Sequence, residues 1–159
     1  MPLFPAELYR MLHRGSPGDA HFYSTQCKGL NSVLELGCGD GRITAVVAEA
    51  CPHVVGVDHH PDMIAQAVES QGRLPSASVR NPTYLCADMT TFESDDPFDA
   101  IIMPFTTFFC LEPHRRHPCL EHVFKALRPG GRFLFDTYSL ELDDLASGLG
   151  FEPLTTMVE

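Results

Sequence analysis

The sequence predicts an α/β fold: a doubly wound, mainly parallel sheet with helices on both faces. Three observations predict it. Short apolar runs alternate with helix-like patterns, the mark of repeated strand–helix units. The first run, Ser32-Val33-Leu34-Glu35-Leu36, leads directly into a glycine-rich turn. The second and third runs each end on an aspartate, Asp58 and Asp88, where a parallel sheet presents its functional edge.

A chain of 159 residues suits a single domain with a sizeable core. Residues 1–29 read as two short helices around Gly15-Ser16-Pro17-Gly18, forming an N-terminal helical cap, and residues 30–159 as the core. Within the core, 32–36 is the first strand and 43–50 a helix. His53-Val54-Val55-Gly56-Val57 is the second strand. Pro61 opens a helix carrying Met63, Ile64, Ala67 and Val68, a position that suits proline. Residues 71–82 are polar, contain Pro75 and Pro82, and read as a surface connection. Strands follow at 83–86 and 98–103. A helix over 115–127 is expected to stop in the turn Arg128-Pro129-Gly130-Gly131. Residues 132–136 form the fifth strand, 141–149 a weaker helix, and 151–158 one further strand.

Charge and cysteine content narrow the function. Eleven basic residues against 21 acidic ones give a net charge of −10, which disfavours a nucleic-acid partner and tolerates a cationic ligand. No apolar run reaches the length of a membrane span, and the first residues lack the pattern of a secretion signal. The six cysteines form no Cys-x-x-Cys and read as free thiols in a reducing cytoplasm.

The sharpest motif is Glu35-Leu36-Gly37-Cys38-Gly39-Asp40-Gly41-Arg42. Glycines at a strand end permit a tight turn and close approach of a ligand to the backbone, and the next helix aims its free N–H groups at that ligand. The dinucleotide fingerprint would need a third glycine where Arg42 stands, and a phosphate loop would need Gly-Lys-Ser/Thr. The pattern therefore favours a ligand with little or no phosphate. Asp40 reads best as the N-cap of the following helix. Asp58 is placed either to accept from both hydroxyls of a ribose or to cap the helix at Pro61. Asp88 is placed either to accept from an adenine amino group, with the Met89 N–H reaching a ring nitrogen, or to shape a turn.

The segments Val33-Leu34-Glu35-Leu36-Gly37-Cys38-Gly39-Asp40-Gly41-Arg42, Val55-Gly56-Val57-Asp58, Ala87-Asp88-Met89, Phe98-Asp99-Ala100-Ile101-Ile102 and Leu127-Arg128-Pro129-Gly130-Gly131, with the helix that carries Met63, together resemble the class I S-adenosylmethionine-dependent methyltransferases. The resemblance covers residues 32–136. It implies a Rossmann-like sheet with S-adenosylmethionine across the C-terminal strand ends. It implies that the Gly37–Gly41 loop, with Glu35, Cys38 and Gly39, holds the methionine part. Asp58 would hold the ribose, Asp88 and Met89 the adenine, and His59 and Met63 would flank the adenine face; Met103 joins the cofactor contacts. The family sheet usually has seven strands, whereas this chain ends near a sixth, so its last strands are expected to be missing.

The implied reaction is in-line methyl transfer to an O, N or C nucleophile of a small molecule. The rival expectation is a cofactor-binding or partner-binding module with the same core and no turnover. After the fourth strand, Met103-Pro104-Phe105 lacks the Asp/Asn-Pro-Pro-Tyr/Phe of enzymes that methylate nucleobases, which again argues against nucleic acid. Phe105, Phe108 and Phe109 line an apolar pocket or belong to the core. His114, His117, Cys119 and His122 do not meet zinc spacing, so no metal is expected. No catalytic residue is assigned; Tyr9 and His13 on the N-terminal cap are the side chains to test. The segment 151–158 is expected to cover the sheet edge, either by folding back or by pairing two chains as a homodimer.

Overall fold

The computed structural model describes residues 11–72 and 81–137. Strand β1 (Ser32–Leu36) pairs in parallel with β2 (His53–Asp58) on one side and with β4 (Phe98–Met103) on the other. Strand β3 (Thr83–Cys86) adds outside β2, and β5 (Leu127–Phe135) outside β4. The order is therefore β3-β2-β1-β4-β5, with every pair parallel. The chain reverses its direction of travel between β1 and β4. A crevice opens at such a reversal, above the C-terminal strand ends.

Both faces of the central strands are covered, so β1 and β4 are buried almost along their whole length. Alternation along β1 sends Val33 to one face and Leu34 and Leu36 to the other. On the first face Val33, Ala100 and Ile102 pack against α1 (Asp19–Cys27) and α2 (Arg42–Ala50) through Tyr23, Cys27, Ile43 and Val47. Helix α2 buries Ile43, Thr44, Val47 and Ala48, one stripe of an amphipathic helix. Helix α3 (Pro61–Gly72) lies against β2 and β3 and buries Met63 and Ala67. On the second face Leu34, Val57, Ile101 and Met103 meet Cys119 and Val123 of a fifth helix, α5 (Pro113–Ala126), which follows the short α4 (Thr107–Cys110).

Several details differ from the sequence reading. The N-cap position of α2 is Gly41 in left-handed geometry, with no side-chain cap hydrogen bond, so Asp40 does not cap. Helix α5 starts two residues earlier than expected, at Pro113, and runs through Pro118. Proline there forfeits one backbone bond without ending the helix. Strand β5 is already paired at Leu127, but its register jumps from Leu127 opposite Phe98 to Arg132 opposite Ala100. The expected turn at 128–131 is thus an insertion within the strand. Helix α4 was not anticipated. The proposed helix at 141–149, the strand at 151–158 and the edge pairing built on it lie outside the described residues, as does Tyr9.

At the N-terminal end of the strands, buried Asp99 ties β1 to β4. Its carboxylate accepts the Asn31 N–H at 2.6 Å and the Ser32 N–H at 3.4 Å, and pairs with Arg128 at 2.9 Å. Its own N–H donates to the Ser32 hydroxyl at 3.1 Å. Asp99→Ala leaves two strand-end donors without this acceptor and should cost about 1–3 kcal/mol. Chemical denaturation is the check; an unchanged midpoint would mean that water satisfies these groups equally well.

Candidate functional site

The glycine turn is built by its contacts with β2. The N–H groups of Gly37 and Cys38 both donate to the Val57 carbonyl, at 2.7 and 3.0 Å. The Gly39 N–H donates to Asp58 Oδ2 at 2.8 Å, and the other oxygen of that carboxylate accepts the His60 N–H at 2.9 Å. Asp58 therefore holds the glycine turn and shapes the start of α3 at once. Close approach explains two of the glycines. A Cβ on Gly37 would lie 2.3 Å from the Thr107 methyl, and one on Gly41 would lie 2.4 Å from the Tyr84 hydroxyl. Gly39 differs: a Cβ there would meet nothing within 4 Å, so the turn leaves open space at this residue.

That space belongs to a shallow cleft of about 60 Å³, open to solvent, lined by Glu35, Gly37, Cys38 and Gly39 together with His13, Phe105 and Thr107. The N-terminal segment is tethered to it by Arg42. Both terminal nitrogens of that side chain donate to Asp19, at 2.9 and 2.6 Å, and a Cβ on Gly15 would strike the guanidinium. His13 thereby sits edge-on to the Phe105 ring, with centroids 5.9 Å apart.

Glu35 is the buried acid of the site, 2% exposed and accepting a hydrogen bond from the Thr44 hydroxyl. Burial pushes its carboxyl up to about 8, and the Thr44 hydroxyl and Arg42 charge pull it only part of the way back. Burial also raises the Cys38 thiol, helped by the charges of Glu35 and Asp58, so this cysteine stays a protonated, unreactive neighbour of the turn.

The remaining sequence-predicted residues are distributed around the crevice. His59 is exposed, with Nδ1 3.6 Å from Asp58 Oδ1. Met63 is buried on α3, and Met89 is half-buried against the second-face core. Met103 is fully buried in that core. Asp88 is already engaged: Oδ1 accepts from the Thr90 N–H and hydroxyl at 2.9 and 2.8 Å, and Oδ2 pairs with Arg115. Burial alone would raise its carboxyl, but Thr90 and Arg115 outweigh that and hold it below the usual carboxylate range. The turn-shaping role weighed for Asp88 is thus present in the structure.

Three residues that matter here were missed. Thr107 and Arg115 left no local sequence signal for the site, since the groups they meet there, Gly37 and Asp88, lie far away in the chain. Asp136 did leave one, as a carboxylate just past a strand end, like Asp58. Its two oxygens accept the N–H groups of Phe105 (2.8 Å) and Thr106. Among the described residues, no group of His, Cys, Asp and Glu side chains is arranged to hold a metal ion. His114 and His117 are exposed beside Glu112 and Glu121, while Cys119 is buried.

A family profile described as a methyltransferase domain matches residues 33–131. The chain belongs to the class I S-adenosylmethionine-dependent methyltransferase family. Among curated relatives, it is 26% identical over 127 residues to thiocyanate methyltransferase 1 of Brassica oleracea, covering 80% of this chain and 55% of that one. It is 32% identical over 111 residues to a malonyl-[acyl-carrier protein] O-methyltransferase of Bacillus cereus, covering 69% of this chain and 38% of the relative. Among solved structures, a glycopeptide N-methyltransferase complexed with S-adenosylmethionine superimposes with a TM-score of 0.71 at 25% identity, covering 78% of this chain and 55% of that one. This methyltransferase chain thus spans about half the length, or less, of these relatives.

The family cofactor is S-adenosylmethionine, and the residues present fit it. Open space at Gly39, on the cleft lining, gives room for a ligand against the backbone of the glycine turn. Glu35 and Asp40, both on the lining, offer carboxyls towards a ligand carrying an ammonium and a sulfonium.

Glu35 gives this methyltransferase a pH signature. In the unfolded chain its carboxyl ionises near 4.5, and in the fold near 8. Between those values the folded protein keeps a proton that the unfolded chain has released. This contribution is therefore full below pH 4.5 and declines as pH rises through 8. Melting curves from pH 5 to 8.5 should show wild type losing stability relative to Glu35→Gln, which keeps an acceptor for Thr44. Parallel curves would show that Glu35 is ionised in the fold throughout.

Proposed function

We propose that the protein transfers a methyl group from S-adenosylmethionine to an oxygen, nitrogen or carbon nucleophile of a small molecule. The observation that carries this reading is the glycine turn, held by the Asp58 carboxylate through Gly39 and open to the cleft at Gly39. Relatives named for thiocyanate, malonyl-[acyl-carrier protein] and a glycopeptide support a small or carrier-borne acceptor group and leave its nucleophile open. The net charge of −10 supports an acceptor other than nucleic acid.

When bound, S-adenosylmethionine supplies a methyl group already activated on a sulfonium. What the chain contributes is binding, orientation and exclusion of water. Gly37, Cys38 and Gly39 present backbone to the methionine end, and Glu35 offers a carboxyl that a neighbouring cation would favour in its ionised form. Asp58 takes the ribose diol while its bonds to Gly39 and His60 fix its orientation. Met63, His59 and Met89 border the adenine region, where Asp88 acts through the turn it shapes with Thr90. Met103, in the core beneath, backs the cleft floor. His13 and Phe105 wall the side from which an acceptor would approach. No side chain is assigned as a general base; a nucleophile that is already unprotonated needs none.

Calorimetric titration separates the readings. S-adenosylhomocysteine should bind saturably and NAD should not; NAD binding with no response to either adenosyl compound would overturn the assignment. Binding followed by no methyl transfer to any of a panel of thiol, carboxylate and amine acceptors would favour the module without turnover. Asp58→Asn should weaken S-adenosylhomocysteine roughly tenfold or more, since charge-assisted bonds to the ribose are lost. Unchanged affinity, with a normal melting curve, would place the ribose elsewhere.

A further inference from the structure

Phe105 and Thr106 are, among the described residues, the two non-glycine residues with positive φ, at 58° and 56°. They are adjacent and they follow β4 directly. Side chains in this region crowd the backbone, and such geometry persists only where surroundings enforce it. Part of the enforcement is local: the Thr107 N–H and hydroxyl both donate to the Pro104 carbonyl across the turn, at 3.3 and 2.6 Å. The Thr106 hydroxyl donates to the Phe105 carbonyl at 2.7 Å and makes no cap bond to α4. The Phe105 and Thr106 N–H groups are held from the next strand. Met103 lies opposite Phe135 in the sheet, so Asp136 arrives beside the turn, and its two oxygens take the two strained N–H groups, one each.

The consequence reaches the cleft in two places. Phe105 contributes to its wall, edge-on to His13. Thr107, the next residue, sets its methyl where a Gly37 side chain would be. Moving the turn to ordinary geometry would swing Phe105 out of the wall and release the contact on the glycine turn.

We propose that Asp136 is a positioning residue for the cofactor cleft: its carboxylate enforces the left-handed Phe105–Thr106 turn and through it sets Phe105 and Thr107 against the bound ligand and the glycine turn. The proposal rests on the cleft being the cofactor site, and it adds a residue that touches no ligand itself. Carboxylate is the chemistry required, because the two donors need two acceptors on one small, rigid group. An asparagine can accept one N–H but presents its own donor to the other.

Asp136→Asn should therefore raise the dissociation constant of S-adenosylhomocysteine about tenfold, the scale of one lost charge-assisted contact. Thr106→Gly added to it should recover most of that loss, because glycine adopts the left-handed geometry without enforcement. A merely structural role would not predict this rescue. Equal affinity for Asp136→Asn and the parent, or a double variant no better than Asp136→Asn, would overturn the proposal. Phe105→Leu, which keeps Asp136 and the turn, should also weaken the ligand with little change in melting temperature; full affinity there would overturn the role given to the ring. Melting temperatures give a readout free of ligand: the loss caused by Asp136→Asn should shrink in the Thr106→Gly background, and additive losses would overturn the enforcement. Should the parent chain bind no adenosyl compound, the functional reading fails while this thermal cycle still decides the turn.

Discussion

The carboxylate of Asp58 accepts one N–H from the glycine turn and one from the start of α3, and the functional edge of the sheet is organised around that pair of bonds. Parallel strands bring their C-terminal ends together, but the loops that leave them diverge, each towards its own helix. Their backbone donors need partners once water is displaced. A short acidic side chain at the end of β2 reaches both neighbours. Under the proposed reading, the group that fixes the turn would also take the ribose of the ligand.

The same solution recurs across the sheet. Asp99 collects the amides where β1 begins, Asp136 those after β4, and Asp88 those of its own turn while taking Arg115 from α5. The charges are not neutralised in the same way. Asp88 and Asp19 have guanidinium partners that keep them ionised, whereas Glu35 is sealed under α2 with a hydroxyl for company and is raised towards neutrality. The cleft thus holds one acid fixed by its amides and one whose charge responds to what arrives. That arrangement is suited to a ligand that is cationic at one end and a sugar diol in the middle.

The central strands were legible because burial on both faces leaves apolar runs of the right length, as at 32–36 and 98–103, and the exposed edge strand at 83–86 was legible from its β-forming residues. The bulge in β5 was read as a turn because Arg128-Pro129-Gly130-Gly131 has turn chemistry; the extra residues are accommodated by a register jump that only the pairing with β4 reveals. Asp40 looked like a cap, but Tyr84 packs so closely on Gly41 that the left-handed glycine takes that position. For the site, the glycine turn and Asp58 were legible since strand end and residue type coincide. The engagement of Asp88 by Arg115 and of Phe105 by Asp136 was not, because each joins segments about 30 residues apart whose meeting depends on strand order.

The loops above this sheet are gripped by their amides, which every residue but proline possesses. The grip on Phe105 and Thr106 reads two N–H groups and is blind to the phenyl ring or the hydroxyl attached. Such a scaffold separates what holds a loop from what the loop displays. Side chains on the rim can be exchanged while the anchoring carboxylates keep the backbone beneath them in place.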